Sequence, residues 1–428
     1  MNRTFESKKE WYLKNWRWFV LGTLFLATFL NYFNRQTLGT AIDPISKEFG
    51  LNNILRGNLL AAFTLTYAIT HFFIGIFLDR IKNFRLFFPL MVIGWSLSSI
   101  LVAFACNYDQ MLFLRYLLGV WEAVNFPICL LIISRLFPAN ERSLASGIFA
   151  SGAFLATLAA PPVVIYFSNN FDWRYSFIVS GSLGFIWLIP WFLTFKNPET
   201  RSQSWNNNIN ALQSRDKKVS WLDYLNSYKL VFKQPGFWGV ALIGLGIVPC
   251  LYFATLWFPS FFTQALNHPY NQSLSIKLGI IYFMQDGGLW IGGAAVLWLS
   301  KLNSDVLKSR KLVIIISWVF MMSILLVPIF NSVAISVFLF SLFVFGIGAF
   351  LGNQHAFKQD VLKSNVATVS ALVGFIETGF TFLVLRKVGV LTSITHDFTL
   401  VFMILGGLAT FALFVALFFI RPKYFTIE

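Results

Sequence analysis

Apolar residues gather along the chain in about twelve long runs, at 17–42, 58–79, 86–105, 110–137, 143–167, 175–195, 236–264, 276–299, 312–331, 334–357, 366–388 and 398–420. Each approaches or exceeds the ~20 residues that a tilted helix needs to cross ~30 Å of hydrocarbon. The connections between runs are mostly short. Residues 196–235 are the exception, polar and rich in Asn, Ser and Lys. They read as a central loop between a six-helix half at 1–195 and a second at 236–428. The expected fold is therefore an all-α membrane protein of twelve transmembrane helices in two six-helix halves.

Composition agrees with the pattern. Of 428 residues 57% are hydrophobic, 18% aromatic and only 12% charged, where a soluble domain carries about a quarter charged residues. Fifty Phe and fifteen Trp suit lipid-facing and interfacial positions. The net charge of +15 would suggest nucleic acid, but its distribution excludes that partner. With the N-terminus in the cytoplasm, the cytoplasmic segments hold 25 Lys and Arg, the outside loops 6, and Arg35 and Arg115 lie within runs. That is a positive-inside bias, and it predicts an inner-membrane protein with both termini cytoplasmic. The first apolar run is too long for a signal-peptide core and no small-residue cleavage pattern follows it, so it reads as a retained helix. Cys106, Cys129 and Cys250 have no disulfide or zinc spacing.

A few polar residues interrupt the runs and carry the candidate chemistry. Arg35 sits in Asn31-Tyr32-Phe33-Asn34-Arg35-Gln36-Thr37. A guanidinium inside a span costs about 2.5–3.5 kcal/mol on insertion scales, so it calls for a partner or a water-filled cavity. Its forked donors suit bidentate binding of a carboxylate; the alternative is an arginine snorkelling outward. Arg115 and Glu122 lie seven apart, about 10 Å and two turns along one helix, on one face with Gly119 and Asn125. They read either as a static pair or as a proton-coupling site, since burial raises a carboxylate's proton affinity and a nearby arginine lowers it. Tyr67 and His71 are four apart on the second run; the histidine reads as a structural one. Glu377 falls in the eleventh run, as a proton-coupling group or as a hydrogen-bonded glutamic acid at a helix interface. No nucleotide-binding, ATP-hydrolysing or zinc-protease motif is present, and Gly346-x-Gly348-x-x-x-Gly352 reads as helix packing. Nothing in the chain reads as an enzyme, and no cofactor or metal is expected.

These residues add up to a resemblance. Gly75, Asp79-Arg80 and Arg85 resemble the signature between the second and third helices of the major facilitator superfamily, with Lys82 and Asn83 as departures. The Asn31–Gly39 stretch, Arg115, Gly119, Glu122, Asn125-Phe126-Pro127, Trp173-Arg174, Trp257-Phe258-Pro259, Asp286-Gly287 and Asn353 resemble hexuronate and sugar-acid transporters of the anion:cation symporter family. The resemblance covers nearly the whole chain. It implies a monomeric secondary transporter that imports an organic anion with protons by alternating access around a midplane site. Arg35 would hold the carboxylate, and Tyr32, Tyr67 and Asn353 the polyol. Glu122, with Arg115, would couple protons; Asp79, Arg80 and Arg85 would clamp the inward ends. Glu377 is a departure, standing where related sequences favour a small residue, and is a proton-coupling candidate on its own chemistry. One departure bears on energetics: the family's usual acidic residue before the arginine is Asn34 here. A facilitator or exchanger of another carboxylate, or a non-transporting sensor, are the rival readings.

Overall fold

The computed structural model describes residues 2–78, 81, 83–137, 139–195, 221–303, 305–362, 365–395 and 397–424. Its helices are α1 (Asn2–Phe49), α2 (Asn53–Leu78), α3 (Phe84–Val102), α4 (Tyr108–Glu122), α5 (Asn125–Leu136), α6 (Ala139–Asn170), α7 (Trp173–Thr194), α8 (Trp221–Phe232), α9 (Pro235–Gln264), α10 (Gln272–Asn303), α11 (Val306–Met321), α12 (Val333–Asp360), α13 (Val366–Thr395) and α14 (Thr399–Phe418). A 3-10 turn, Met322–Ile329, extends α11. Among the described residues eleven helical stretches are long and apolar enough to cross a membrane. The first helix completes the set of twelve; Arg17 at one end of its apolar run and Asn31–Gln36 at the other lower its hydropathy.

Two expectations change in detail. The fourth apolar run is two helices, α4 and α5, offset at Ala123–Val124. Pro127 lacks an N–H, so the Ala123 carbonyl has no donor one turn ahead. Part of the central loop is helical as well: α8 lies within it, and the hydroxyl of its Tyr228 donates to the Phe72 carbonyl of α2 at 2.7 Å. Residues 196–220, and Asp79 and Arg80 of the expected clamp, lie outside the described residues.

The two bundles join mainly where α2 crosses α13 and α6 crosses α10. At the end that carries the α1–α2 turn they are sealed. One continuous apolar core runs there from Leu38, Ile42 and Ile45 of α1 through Leu59 of α2 to Phe253, Phe261 and Leu385 of the second bundle. At the opposite end a separate core, with Trp16, Phe88, Trp95 and Trp191, belongs to the first bundle alone. Polar ties reinforce the sealed end. Thr263 donates to Asp43 at 2.6 Å while Asp43 pairs with Arg56, also at 2.6 Å. The Tyr270 hydroxyl donates to the Thr40 carbonyl at 3.0 Å, and Arg386 to Asn58 at 2.8 Å. Nearby, Arg174 pairs with Glu48 at 2.6 Å, and its hydrogen bonds hold the Glu48 carboxyl below the usual range.

The tightest crossing of the sealed end is Gly57 against Gly389, where a Cβ on Gly57 would lie 2.8 Å from the Gly389 Cα. Only backbone faces backbone there, so no side chain can rotate away. Gly57→Val is expected to hold this end open. A cysteine placed at Thr263, in a Cys106→Ser background because Cys106 is exposed, should then react severalfold faster with a membrane-impermeant thiol reagent. Unchanged labelling would show that the crossing tolerates a side chain.

Candidate functional site

Arg35 lies in the interior, on the face of α1 that turns toward α2, α4 and α9. Its guanidinium carbon stands 4.5 Å from the Tyr32 ring, 4.6 Å from Phe63 and 4.8 Å from Tyr67. Stacking on three aromatic faces compensates a desolvated cation and keeps its fork in position. The hydrogen bonds are looser. Nε donates to Glu122 Oε2 at 3.4 Å, and Nη1 to the hydroxyl of Tyr252 at 3.5 Å. Tyr252 belongs to α9, so the two bundles meet at this guanidinium. Nη2 has no hydrogen-bond partner among the described residues. The arginine is thus oriented by rings and held weakly by its polar neighbours, which leaves donors for an incoming carboxylate.

Glu122 is the last residue of α4 and is 1% exposed; only its Oε2 is bonded, and Oε1 has no partner among the described residues. The spacing of Arg115 and Glu122 suggested a pair along α4. In the structure no ion pair within 4 Å joins them among the described residues; the carboxylate reaches α1 instead. Arg115, also 1% exposed, stands on the Phe63 ring at 5.4 Å, with Nε and Nη1 unpartnered among the described residues. Phe63 therefore lies within cation–π range of both guanidinium groups. Two arginines against one glutamate leave the cluster one positive charge in excess, and such an excess in a low-dielectric interior favours an anion.

The remaining expected residues fall in three places. Tyr32 and Tyr67 belong to the Arg35 cluster. Asn353 is buried on α12, and its amide donates back to the Ala349 carbonyl at 3.0 Å; among the described residues no hydrogen bond joins it to Arg35. Arg85 lies at the far end of the first bundle, where its carbonyl accepts from Trp191 at 3.1 Å and its side chain makes no ion pair among the described residues. Glu377 has partners that sequence reasoning missed. Lys358 Nζ lies 2.8 Å from Oε1, and Gln354 donates to Oε2 at 2.9 Å. Lys358 follows directly on the tenth apolar run, and the structure makes it a buried residue of α12.

Two further polar residues acquire structural explanations. His71 Nε2 lies 3.1 Å from the Ala123 carbonyl, the one orphaned by Pro127. A carbonyl only accepts, so that nitrogen carries the proton, and the ring stacks on Tyr67 at 4.4 Å. Asn34 turns away from Arg35. Its carbonyl accepts from Ser99 of α3 at 3.1 Å, and Ser99 meets Ser180 of α7 at 3.1 Å. Phe63 was the site residue least visible in sequence; its spacing of four from Tyr67 was the one available signal. Among the described residues no cluster of three His, Cys, Asp or Glu is placed to hold a metal.

Two joined helical bundles with a buried, net-positive cluster where they meet define a membrane carrier, a transport protein and not an enzyme. The chain belongs to the Major Facilitator Superfamily, whose family model matches residues 24–385. It is 28% identical over 408 residues to the hexuronate transporter of Bacillus subtilis (strain 168), covering 94% of each chain. It is 26% identical over 410 residues to a probable L-galactonate transporter of Escherichia coli (strain K12), covering 93% of this chain and 88% of that one. Among solved structures it resembles a bacterial homologue of the human lysosomal transporter Spinster in an inward-facing, occupied conformation. The TM-score is 0.72 at 17% identity over 95% of this chain and 96% of the other, a likeness of fold.

Proposed function

We propose that this protein imports a sugar acid, a hexuronate or an aldonate, together with a proton by alternating access. The observation that carries the reading is the Arg35 guanidinium, stacked among three aromatic rings, with Nη2 unpartnered among the described residues and one positive charge in excess around it. The substrate carboxylate takes the fork, and Tyr32 and Tyr67 lie against the sugar chain. Glu122 and the substrate are rivals for the same cation. Protonating Glu122 releases Arg35 and strengthens anion binding, and anion binding in turn favours the protonated acid; the linkage is reciprocal. One proton with one monoanion leaves the site's formal charge equal in the loaded and empty states. The names of the two relatives supply the class of cargo.

On the asymmetry of Lys and Arg we take the sealed end as the outer one, so this state is closed to the outside. Binding of cargo would let the bundles rock about the α2–α13 and α6–α10 crossings. A second reading, a facilitator or exchanger, is favoured by Asn34, which cannot titrate where the family's acid usually stands. The two separate in liposomes that hold the purified protein. Galacturonate and galactonate should accumulate against their gradients when the outside is acidified, and a protonophore should abolish the accumulation. Uptake that ignores the pH gradient favours the facilitator, and no uptake of either acid overturns the cargo.

A further inference from the structure

Lys358, Gln354 and Glu377 form a second charged cluster, in the other bundle. Lys358 and Gln354 are four apart on α12 and share a face; Glu377 reaches them from α13. The third wall is α9, at Gly244, where a Cβ would lie 2.4 Å from Glu377 Oε2 and 2.8 Å from Gln354 Nε2. The absent side chain is what lets the carboxylate seat between the three helices. The cluster is not sealed: the Lys358 and Glu377 side chains each keep 10% of their surface accessible. One turn before Glu377 on α13, Gly374 packs against the first bundle, where a Cβ would lie 3.1 Å from His71 Nδ1. The cluster therefore faces the space between the bundles.

The register along α9 sets its distance from Arg35. Tyr252 meets the guanidinium and Gly244 meets Glu377. Eight residues separate them, about 12 Å of helix rise. An extended six-carbon chain measures about 6–7 Å with C–C bonds of about 1.5 Å. With a terminal C–O bond of about 1.2–1.4 Å and a hydrogen bond of about 2.8 Å at each end, such a chain spans about 14 Å from one protein group to the other. A sugar acid with its carboxylate on Arg35 is therefore long enough for its far end to reach Lys358 and Glu377.

The chemistry of the pair states what that end must be. An ammonium has three donors and among the described residues one is used, by Glu377; a carboxylate has about four acceptor positions, of which two are used among the described residues. The cluster can donate to a hydroxyl and accept from it, in charge-assisted bonds. Its formal charge is zero, however, and a second carboxylate arriving there would meet Glu377. We propose that Lys358 and Glu377 form the hydroxyl-binding subsite for the far end of the cargo, and that their neutrality restricts the carrier to sugar acids with one carboxylate, against aldarates with one at each end. This rests on the reading of the cargo as a sugar acid held by Arg35.

The test compares galactonate with galactarate, which differ only in the far group, by calorimetric binding to the purified full-length protein. The wild type should bind galactonate at least about tenfold tighter, because a second carboxylate would be desolvated beside a pair that offers it no net countercharge. Glu377→Gln keeps size and hydrogen bonding but leaves Lys358 unpaired. It should shift the ratio by about tenfold or more toward galactarate. Equal or tighter galactarate binding by the wild type overturns the proposal without any variant, and so does an unchanged ratio in Glu377→Gln. If the wild type binds neither acid nor galacturonate, the cargo itself is wrong and the subsite falls with it. If all three bind, Arg35→Lys abolishes binding and Glu377→Gln changes nothing, the subsite alone is wrong.

Discussion

Arg35→Lys is expected to weaken binding of a sugar acid at least about a hundredfold, although it conserves the charge. A hundredfold is about 2.8 kcal/mol, and an ammonium does not replace a bidentate guanidinium in a stacked site at equal charge. The lysine also loses the planar fork that stacks on Tyr32, Phe63 and Tyr67 and offers two parallel donors. An ammonium in that place would sit as a point charge against Glu122, whose Oε2 lies 3.4 Å from Nε in the native site, and would have little reason to leave it. Calorimetric titration of galactonate and uptake in liposomes both read the loss. Binding within threefold of wild type would show that the anion is held elsewhere, with Arg115 the first place to look.

Glu122→Gln is expected to separate binding from accumulation. The amide cannot accept a proton, so acidification outside should no longer drive galactonate above its equilibrium level. Exchange of labelled for unlabelled galactonate, which needs no net proton movement, should persist. The rival for Arg35 also becomes neutral, so affinity at neutral pH should rise and lose its dependence on pH. Intact accumulation in this variant would take proton coupling away from Glu122. Asn34 offers no substitute, since it bonds to Ser99 on the side of α1 that faces α3 and α7.

The residue before the arginine illustrates how sequence and structure divide the work. In sequence, Asn34 is a conspicuous departure that raises the question of coupling. In the fold it lies with Ser99 and Ser180 inside the first bundle, about a quarter-turn of helix from Arg35. An acid at position 34 would have acted from that pocket, away from the guanidinium. Glu377 runs the other way: as a lone carboxylate in an apolar run it suggested a functional or neutral group, and its ionic partner Lys358 was invisible because it lay at the edge of the neighbouring run.

The sequence by itself determined the architecture, because lipid admits few solutions. Long apolar runs become helices, because a backbone in hydrocarbon must satisfy its own hydrogen bonds. It also identified Arg35, Arg115, Glu122 and Glu377 as expensive residues, since an ionisable group in hydrocarbon calls for a reason. What only the tertiary structure decided is who meets whom. Helical periodicity says which residues share a face of one helix, as it did for Arg115 and Glu122. It does not say how a helix is rotated against its neighbours; close crossings set that rotation, such as Gly119 of α4 against Phe63 of α2, Gly57 against Gly389, and Gly244 against Glu377. From it follow the Glu122–Arg35 contact across α4 and α1, the approach of Tyr252 from the other bundle, and the pairing of Lys358 with Glu377.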